Sequence, residues 1–135
     1  MNTLKTVLLV DDYEADNFIH RLALERLGCV EQVIGCNDGR EALDCLHDRD
    51  RVGQPLPELI FLDINMPVMN GWEFLEEFEA RYSAYSGGTV VVMLSTSLNP
   101  DDQARATRYS KVRSFIDKPL TKARLRELLG RLFPE

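Results

Sequence analysis

Short runs of apolar residues recur along the chain and alternate with longer amphipathic segments. This alternation is typical of a parallel sheet covered by helices on both faces, because each parallel connection needs a crossover of helical length. The central runs are continuously apolar, as strands buried on both faces should be. The pattern predicts an α/β fold of five βα units, with strands at residues 6–10, 32–36, 59–62, 89–94 and 114–117.

Capping signals mark where most of the predicted helices begin. An Asp, Asn or Thr side chain just before a helix accepts a hydrogen bond from a first-turn N–H group that would otherwise lack a partner. The clearest start is Asn99 before Pro100, since proline fits the first helical position and the two acids that follow lie beside the positive helix end. The other predicted caps are Asp38, with Glu41 completing a capping box, and Asn70, and the last helix is predicted to begin near Thr121.

Apolar spacing also predicts which helix faces are buried. In the first helix Ala15, Ile19 and Leu22 fall on one side, so we expect this face to pack on the sheet. The same helix should stop at Gly28. The last helix carries a stripe of leucines that should also face the sheet, at positions 125, 128, 129 and 132.

Length and charge narrow the class of protein. The 135 residues match the size of one domain, and we expect a single domain over residues 1–135. The formal net charge of −6 disfavours binding to nucleic acid or to anionic membranes, and no apolar stretch reaches the roughly 18 residues of a membrane span. Three cysteines without metal-ligand spacing, in a chain without an export signal, indicate reduced thiols and a cytoplasmic protein.

Polar side chains that can carry chemistry follow four of the five predicted strands. In a doubly wound sheet the ligand binds outside the carboxyl ends of the strands, so these residues should meet at one edge. Three acids there would repel one another without a cation, and Mg²⁺ fits better than zinc because no His or Cys joins them. The residues are Asp11 and Asp12 after the first strand, Asp63 and Asn65 after the third, Ser95 to Ser97 after the fourth and Lys118 after the fifth.

Asp63 is the predicted nucleophile at this edge. It stands alone after the central strand, whereas Asp11 and Asp12 are paired as cation ligands would be. A carboxylate can attack a phosphoryl donor and form an aspartyl phosphate, while Mg²⁺ and the Lys118 ammonium offset the charge of the transferring group. Taken singly, each residue could be an ordinary loop residue, and Ser95 a hydroxyl bonded to the backbone. In combination they predict a phosphoryl-aspartate site.

Four motifs resemble the receiver domain of response regulators in two-component signalling. The D-x-N-M-P-x-M-N-G run that begins at Asp63 is highly specific for this family, and the other motifs are specific in combination. The resemblance covers essentially the whole chain and implies a doubly wound, flavodoxin-like (βα)5 sandwich with strand order 2-1-3-4-5. The motifs are VLLVDD at 7–12, IFLDINMPVMNGWEFL at 60–75, VVVMLSTS at 90–97 and FIDKPLT at 115–121.

The resemblance assigns roles in phosphoryl transfer. It implies that Asp63 is the phosphoacceptor and that Lys118 binds the phosphate. It also implies that Asp11 and Asp12 belong to the Mg²⁺ site together with Asp63, and that Asn65 offers its backbone carbonyl to the metal. The protein would then catalyse only its own phosphorylation and dephosphorylation, so it is expected to be a signalling receiver and not an enzyme.

The resemblance also assigns switch positions near the site. Ser95 matches the switch hydroxyl, where serine replaces threonine, and Phe115 matches the aromatic switch position. The Lys118–Pro119 bond would be the family's cis peptide, which proline permits at modest cost. Asp117 is an extra acid, which we expect near the site and unfavourable to phosphate binding.

Partners follow from the same resemblance. The phosphoryl donor would be a sensor histidine kinase or a histidine phosphotransfer protein. We expect no effector domain after residue 135, and therefore output by contact with a downstream protein or by onward phosphotransfer, without a DNA-binding domain. The segments DDYEADNFIH and STSLNPDD resemble small stand-alone receivers, some of which partner bacterial phytochrome kinases.

Uneven charge suggests how phosphorylation could be read out. Residues 111–135 hold 7 Lys+Arg and 3 Asp+Glu, while the fourth helix opens with Asp101 and Asp102. A face made by the fourth helix, fifth strand and fifth helix could therefore pair with a second copy across a two-fold axis. Movement of Ser95 toward a new phosphoryl group would let Phe115 rotate inward from this face. The plainer interpretation is a solvated charged surface.

Three alternative functions share features with this sequence. A receiver that no longer cycles phosphate could act as a constitutive protein-binding module, but the intact site residues argue against it. A phosphatase with a nucleophilic Asp would normally need a second carboxylate at the position of Asn65. A flavodoxin-like electron carrier would need hydroxyl and backbone donors where Asp11 and Asp12 stand.

Overall fold

Strands and helices alternate through the part of the chain that the computed structural model describes, residues 3–82 and 88–134. Strands β1 to β5 span Leu4–Val10, Val30–Cys36, Leu59–Asp63, Val90–Ser95 and Val112–Asp117. Helices α1 to α5 span Glu14–Leu27, Gly39–Arg51, Gly71–Tyr82, Pro100–Ala106 and Lys122–Leu132. The five predicted strands are confirmed, with ends that differ from the prediction by up to about two residues, the usual uncertainty of element boundaries.

The strands form one parallel sheet in the order β2-β1-β3-β4-β5. This confirms the doubly wound, flavodoxin-like topology and puts the switch in strand order between β1 and β3. Val10 pairs with Leu62 at the carboxyl ends of those two strands. Asp11 and Asp63, which come next along the chain, therefore leave the sheet side by side.

Alternate residues of the central strands supply two hydrophobic cores, one on each face of the sheet. Leu8 and Val10 of β1 belong to the core that lies under α2 and α3, whereas Val7 and Leu9 belong to the core under α1 and α5. Period-two alternation explains how one continuously apolar run fills both layers. The leucine stripe of α5 is confirmed, because Leu125, Leu128 and Leu129 are buried and Leu132 packs against the same core.

Side-chain caps begin four helices where the sequence predicts them. Asn70 and Glu73 form a capping box at α3, since the Glu73 N–H donates to Asn70 Oδ1 over 2.9 Å and the Asn70 N–H donates to Glu73 Oε1 over 3.0 Å. The other caps accept from first-turn amides at 2.9 Å for Asp38, 2.8 Å for Asn99 and 3.2 Å for Thr121. These bonds fix the helix starts close to the carboxyl edge of the sheet.

The predicted inner face of α1 is wrong. Ala15, Ile19 and Leu22 are exposed to solvent. The residues of this helix that are buried are His20, Ala23 and Leu24. The helix does end at Gly28, which takes the left-handed conformation expected of a terminal glycine.

Polar side chains explain the rotation of α1. Asn17 Nδ2 donates to the carbonyl oxygens of Asp11 and Cys36, each over 3.1 Å. One turn further on, Arg21 donates to the Val33 carbonyl oxygen over 2.8 Å. Because these bonds satisfy backbone groups of β2 and of the segment after β1, they turn the polar side of α1 inward and leave apolar residues outside.

The structure bears on the predictions about membrane spans and cysteines. None of the helices in residues 3–82 and 88–134 is long and apolar enough to cross a membrane. All three cysteines are free thiols, with Cys29 and Cys36 buried and Cys45 partly buried.

Candidate functional site

Three carboxylates meet at the carboxyl edge of the sheet. Asp11 and Asp12 follow β1, and Asp63 is the last residue of β3. Oxygen atoms of the three side chains all lie within 4.8 Å of one another. Asp11 and Asp63 are buried, whereas Asp12 is exposed. The strand order therefore brings together the acids that the sequence predicts for a cation site.

Lys118 reaches this acidic cluster from the end of β5. Its Nζ lies 2.6 Å from Asp11 Oδ2, 2.9 Å from Asp16 Oδ2 and 3.5 Å from Asp63 Oδ1. The Lys118 backbone N–H donates to the Ser95 carbonyl oxygen over 2.9 Å, and the bond to Pro119 is cis, as the resemblance implies. The ammonium thus lies among three carboxylates.

Burial and charge shift the pKa of Asp63 upward. Desolvation raises it to about 6, and nearby Asp11 and Asp12 act in the same direction while Lys118 opposes them. Burial alone would lower the pKa of Lys118, but its hydrogen bonds to Asp11 and Asp16 and the charge of Asp63 raise it. The single ammonium therefore leaves negative charge at the site incompletely compensated.

The donor set suits a hard divalent cation. Carboxylate oxygens from Asp11, Asp12 and Asp63 converge, and Asn65 and Thr96 line the same cleft. Mg²⁺ binds through one or two carboxylates and keeps several waters, whereas zinc prefers nitrogen or sulfur ligands. The residues present fit Mg²⁺, and the excess negative charge around Asp63 supplies a reason for it to bind.

The two residues that the resemblance assigns as switch positions lie on the neighbouring strands β4 and β5. Ser95 is buried at the end of β4, and its hydroxyl donates to the Ser97 carbonyl oxygen over 2.6 Å. Phe115 is half-buried on β5 and packs against the core under α2 and α3. Neither side chain lines the acidic cleft. The residue near the end of β4 that does line it is Thr96.

Asp117 lies outside the acidic cleft, and Asp16 is the further acid inside it. The Asp117 carboxylate does not face the cleft, because Arg124 of α5 donates to it over 2.6 Å and holds its pKa below the usual range. The acid that sequence reasoning missed is Asp16, which lies in the first turn of α1 and bonds to Lys118. Its position soon after Asp11 and Asp12, at a helix start beside the same edge, was the available signal.

Glycine is required where α3 begins. A Cβ atom at Gly71 would lie 2.5 Å from the Asp63 carbonyl oxygen and 3.0 Å from Ile64 Cα. The Gly71 N–H donates to the Ile64 carbonyl oxygen over 2.8 Å. The D-x-N-M-P-x-M-N-G run thus closes a tight loop that presses the start of α3 against the backbone of Asp63.

Comparison with known proteins decides the family. A model of the response regulator receiver domain matches residues 7–130. The chain belongs to this receiver family. The match runs from the middle of β1 through most of α5, and it therefore includes every residue of the acidic cleft.

Relatives agree with this assignment. The receiver domain is 36% identical over 116 residues to the probable methanogenesis regulatory protein FilR2 of Methanothrix harundinacea, covering 85% of this chain and 72% of that protein. A two-component response regulator structure from Cytophaga hutchinsonii superposes with a TM-score of 0.89 at 32% identity, over 99% of this chain and 100% of that chain. Several other curated relatives are sensory or histidine kinases of which this chain spans only 10% to 16%.

The likeness to phytochrome-associated receivers is also found. The phosphorylated cyanobacterial phytochrome response regulator RcpA superposes with a TM-score of 0.77 at 28% identity, over 96% of this chain and 94% of that chain. Receiver domains take part in two-component signalling with histidine kinases or phosphotransfer proteins, and they generally bind Mg²⁺ in an acidic pocket. In this chain Asp11, Asp12 and Asp63 form a cluster of acidic side chains in the cleft.

Proposed function

We propose that this receiver accepts a phosphoryl group on Asp63 from a histidine kinase or a histidine phosphotransfer protein. The observation that carries the proposal is the meeting of Asp63 with the Lys118 ammonium and two further acids in one cleft. Phosphoryl transfer to a carboxylate is favoured by cations that offset the negative charge on the oxygens of the transferring group. Lys118 supplies one such charge, and the acid cluster would hold the other.

The chemistry is a direct transfer between two nucleophiles. A carboxylate oxygen of Asp63 attacks phosphorus, and a P–O bond forms as the bond from phosphorus to the donor histidine nitrogen breaks, leaving the electron pair on that nitrogen. With a pKa of about 6, most of Asp63 is ionised at neutral pH and can attack. Mg²⁺ held by Asp11, Asp12 and Asp63, with the Asn65 carbonyl, would stabilise charge on the transferring group.

Phosphosite mapping tests this proposal. The chain is incubated with a small acyl phosphate and Mg²⁺, then digested and analysed by mass spectrometry for the labelled residue. Label on Asp63 that is lost in Asp63→Asn and in excess chelator is expected, while Asp44→Asn, which removes an exposed acid of α2, should label normally. An unlabelled wild type would instead favour a receiver that works as a constitutive binding module.

Output would pass through protein contacts in the cytoplasm and not through DNA. The candidate contact surface is the face formed by α4, β5 and α5, because Arg113 and Arg131 are exposed on it and Asp101 is exposed at the start of α4. We expect phosphorylation to strengthen pairing with a second copy or a downstream protein through this face, with a gain that weakens in salt. Sedimentation with and without a phosphoryl mimic, in wild type and in the double variant Arg113→Glu with Arg131→Glu, is the check.

Arg124 is left out of that charge reversal for a structural reason. Its guanidinium donates to the Asp117 carboxylate and to the carbonyl oxygens of Asp117 and Pro119. Reversing its charge would disturb the loop that carries Lys118, so a change in association could not be assigned to the surface. Identical sedimentation of all four samples would contradict the dimer proposal.

A further inference from the structure

Lys118 has a third acidic partner that belongs to neither the predicted metal ligands nor the phosphoacceptor. Asp16 Oδ2 lies 2.9 Å from Lys118 Nζ, clearly closer than Asp63 Oδ1 at 3.5 Å. Side-chain exposure is 28% for Asp16 and 11% for Lys118, so the pair is only partly screened by water. The ammonium is therefore held more firmly by α1 than by the phosphoacceptor.

The backbone around Asp16 is fixed by its neighbours. Asn17 Nδ2 donates to the carbonyl oxygens of Asp11 and Cys36, and the Tyr13 N–H donates to Asp11 Oδ1 over 3.0 Å. These bonds tie the first turn of α1 to the ends of β1 and β2. The backbone of Asp16 is therefore held beside Lys118 independently of the ion pair between the two side chains.

We propose that Asp16 is a positioning residue that competes with a phosphoryl group on Asp63 for the Lys118 ammonium. This inference rests on the proposed function, because it concerns the same lysine and the same phosphoacceptor. It assigns Asp16 the role of setting how strongly the phosphorylated state is favoured. A receiver that keeps this acid would hold its phosphoryl group less strongly than one that lacks it.

Charge and geometry give the direction of the effect. An ammonium has three N–H donors, and in the resting structure two of them are taken by Asp11 and Asp16. A metal ion at the acid cluster would bind the Asp11 carboxylate in place of Lys118. Asp16 would keep its bond to Lys118 and would place a negative charge close to the incoming phosphoryl dianion. Replacing Asp16 by Asn keeps the shape and an acceptor oxygen while removing that charge, so Lys118 becomes available to the phosphoryl oxygens.

The test measures binding of beryllofluoride, a phosphoryl analogue, at saturating Mg²⁺ by fluorine NMR. Asp16→Asn is expected to lower the half-saturating concentration about fivefold, which corresponds to roughly 1 kcal/mol, and the difference should shrink in high salt. The matched control is Glu14→Gln, because Glu14 is an exposed acid in the same first turn of α1. Asp16→Glu should restore much of the wild-type value.

The outcomes separate the two proposals. Wild-type binding that is lost in Asp63→Asn, together with unchanged or weaker binding in Asp16→Asn, would overturn the role of Asp16 and leave the proposed function standing. An equal gain in Glu14→Gln would also overturn it, since the effect would then be general charge removal. Wild-type protein that shows no Asp63-dependent binding would contradict the proposed function itself. Thermal melting of each variant shows whether altered folding contributes, and a purely structural role predicts weaker binding with reduced stability.

Discussion

The Ser95 hydroxyl and the Ser97 backbone hold each other in a closed pair of hydrogen bonds. Ser95 Oγ donates to the Ser97 carbonyl oxygen over 2.6 Å, and the Ser97 N–H donates back to Ser95 Oγ over 3.1 Å. The hydroxyl is thus committed to the loop after β4 in the resting protein. To serve as a switch it must exchange the carbonyl for a phosphoryl oxygen.

This exchange predicts what Ser95→Ala does. The variant should bind beryllofluoride about tenfold more weakly. A hydrogen bond to a charged group contributes roughly 1.5 to 3 kcal/mol, and breaking the bond from the Ser95 hydroxyl to the Ser97 carbonyl oxygen offsets part of that gain. Calorimetric titration at saturating Mg²⁺ measures the loss. Ser97→Ala is the control, since the two bonds use only backbone atoms of Ser97. Equal affinities for Ser95→Ala and wild type would remove Ser95 from the switch.

Gly71→Ala should destabilise the receiver by about 3 kcal/mol or more, at the upper end of overpacking costs. The added Cβ would lie 2.5 Å from the Asp63 carbonyl oxygen, and neither backbone can move without disturbing the position of Asp63. Gly130→Ala provides the comparison, because no atom lies within 4 Å of its added Cβ in α5 and a gain of about 0.5 to 1 kcal/mol is expected there. Urea unfolding of both variants measures the change in the free energy of unfolding, which should be a loss for Gly71→Ala and a gain for Gly130→Ala. A Gly71→Ala variant as stable as wild type would contradict the packing argument.

Val68 carries backbone strain beside the site. Its φ of 70° lies in the left-handed region, which a β-branched residue rarely adopts, and its side chain is 81% exposed. Val68→Asn should therefore raise the free energy of unfolding by about 1 kcal/mol, since Asn tolerates this conformation and little apolar contact is lost. Val52→Asn is the control at an exposed valine with an ordinary φ of −94°. No difference between the two variants in urea would show that the strain is negligible.

Sequence patterns predict the sheet and the residues that follow its strands. They do not predict how α1 is rotated about its own axis. Continuously apolar runs fixed the sheet, and strand ends alone predicted that Asp63 meets Lys118. The inner face of α1 was predicted from Ile19 and its neighbours, but apolar spacing cannot register Asn17, whose amide bonds to carbonyl groups far away in sequence. The same rotation directs Asp16 at Lys118, which explains why that contact was missed.

The raised pKa of Asp63 makes the stability of the metal-free receiver depend on pH in a definite direction. Burial chiefly raises the pKa of this carboxyl in the folded state to about 6, from an ordinary value of 3.8, so the folded state binds the proton more tightly than the unfolded state. Stability from this group is present below about pH 4 and is lost as the pH rises to about 6, by roughly 3 kcal/mol in total.

Asp63→Asn removes the buried charge and should raise the free energy of unfolding by about 2 to 3 kcal/mol at pH 7, with little gain at pH 4. Guanidinium unfolding across this range in chelator measures the difference, and Asp44→Asn at an exposed position of α2 should show no such trend. Added Mg²⁺ should shrink the gain, because a cation at the cluster compensates the same charge, and a gain that is independent of both pH and Mg²⁺ would contradict this electrostatic explanation.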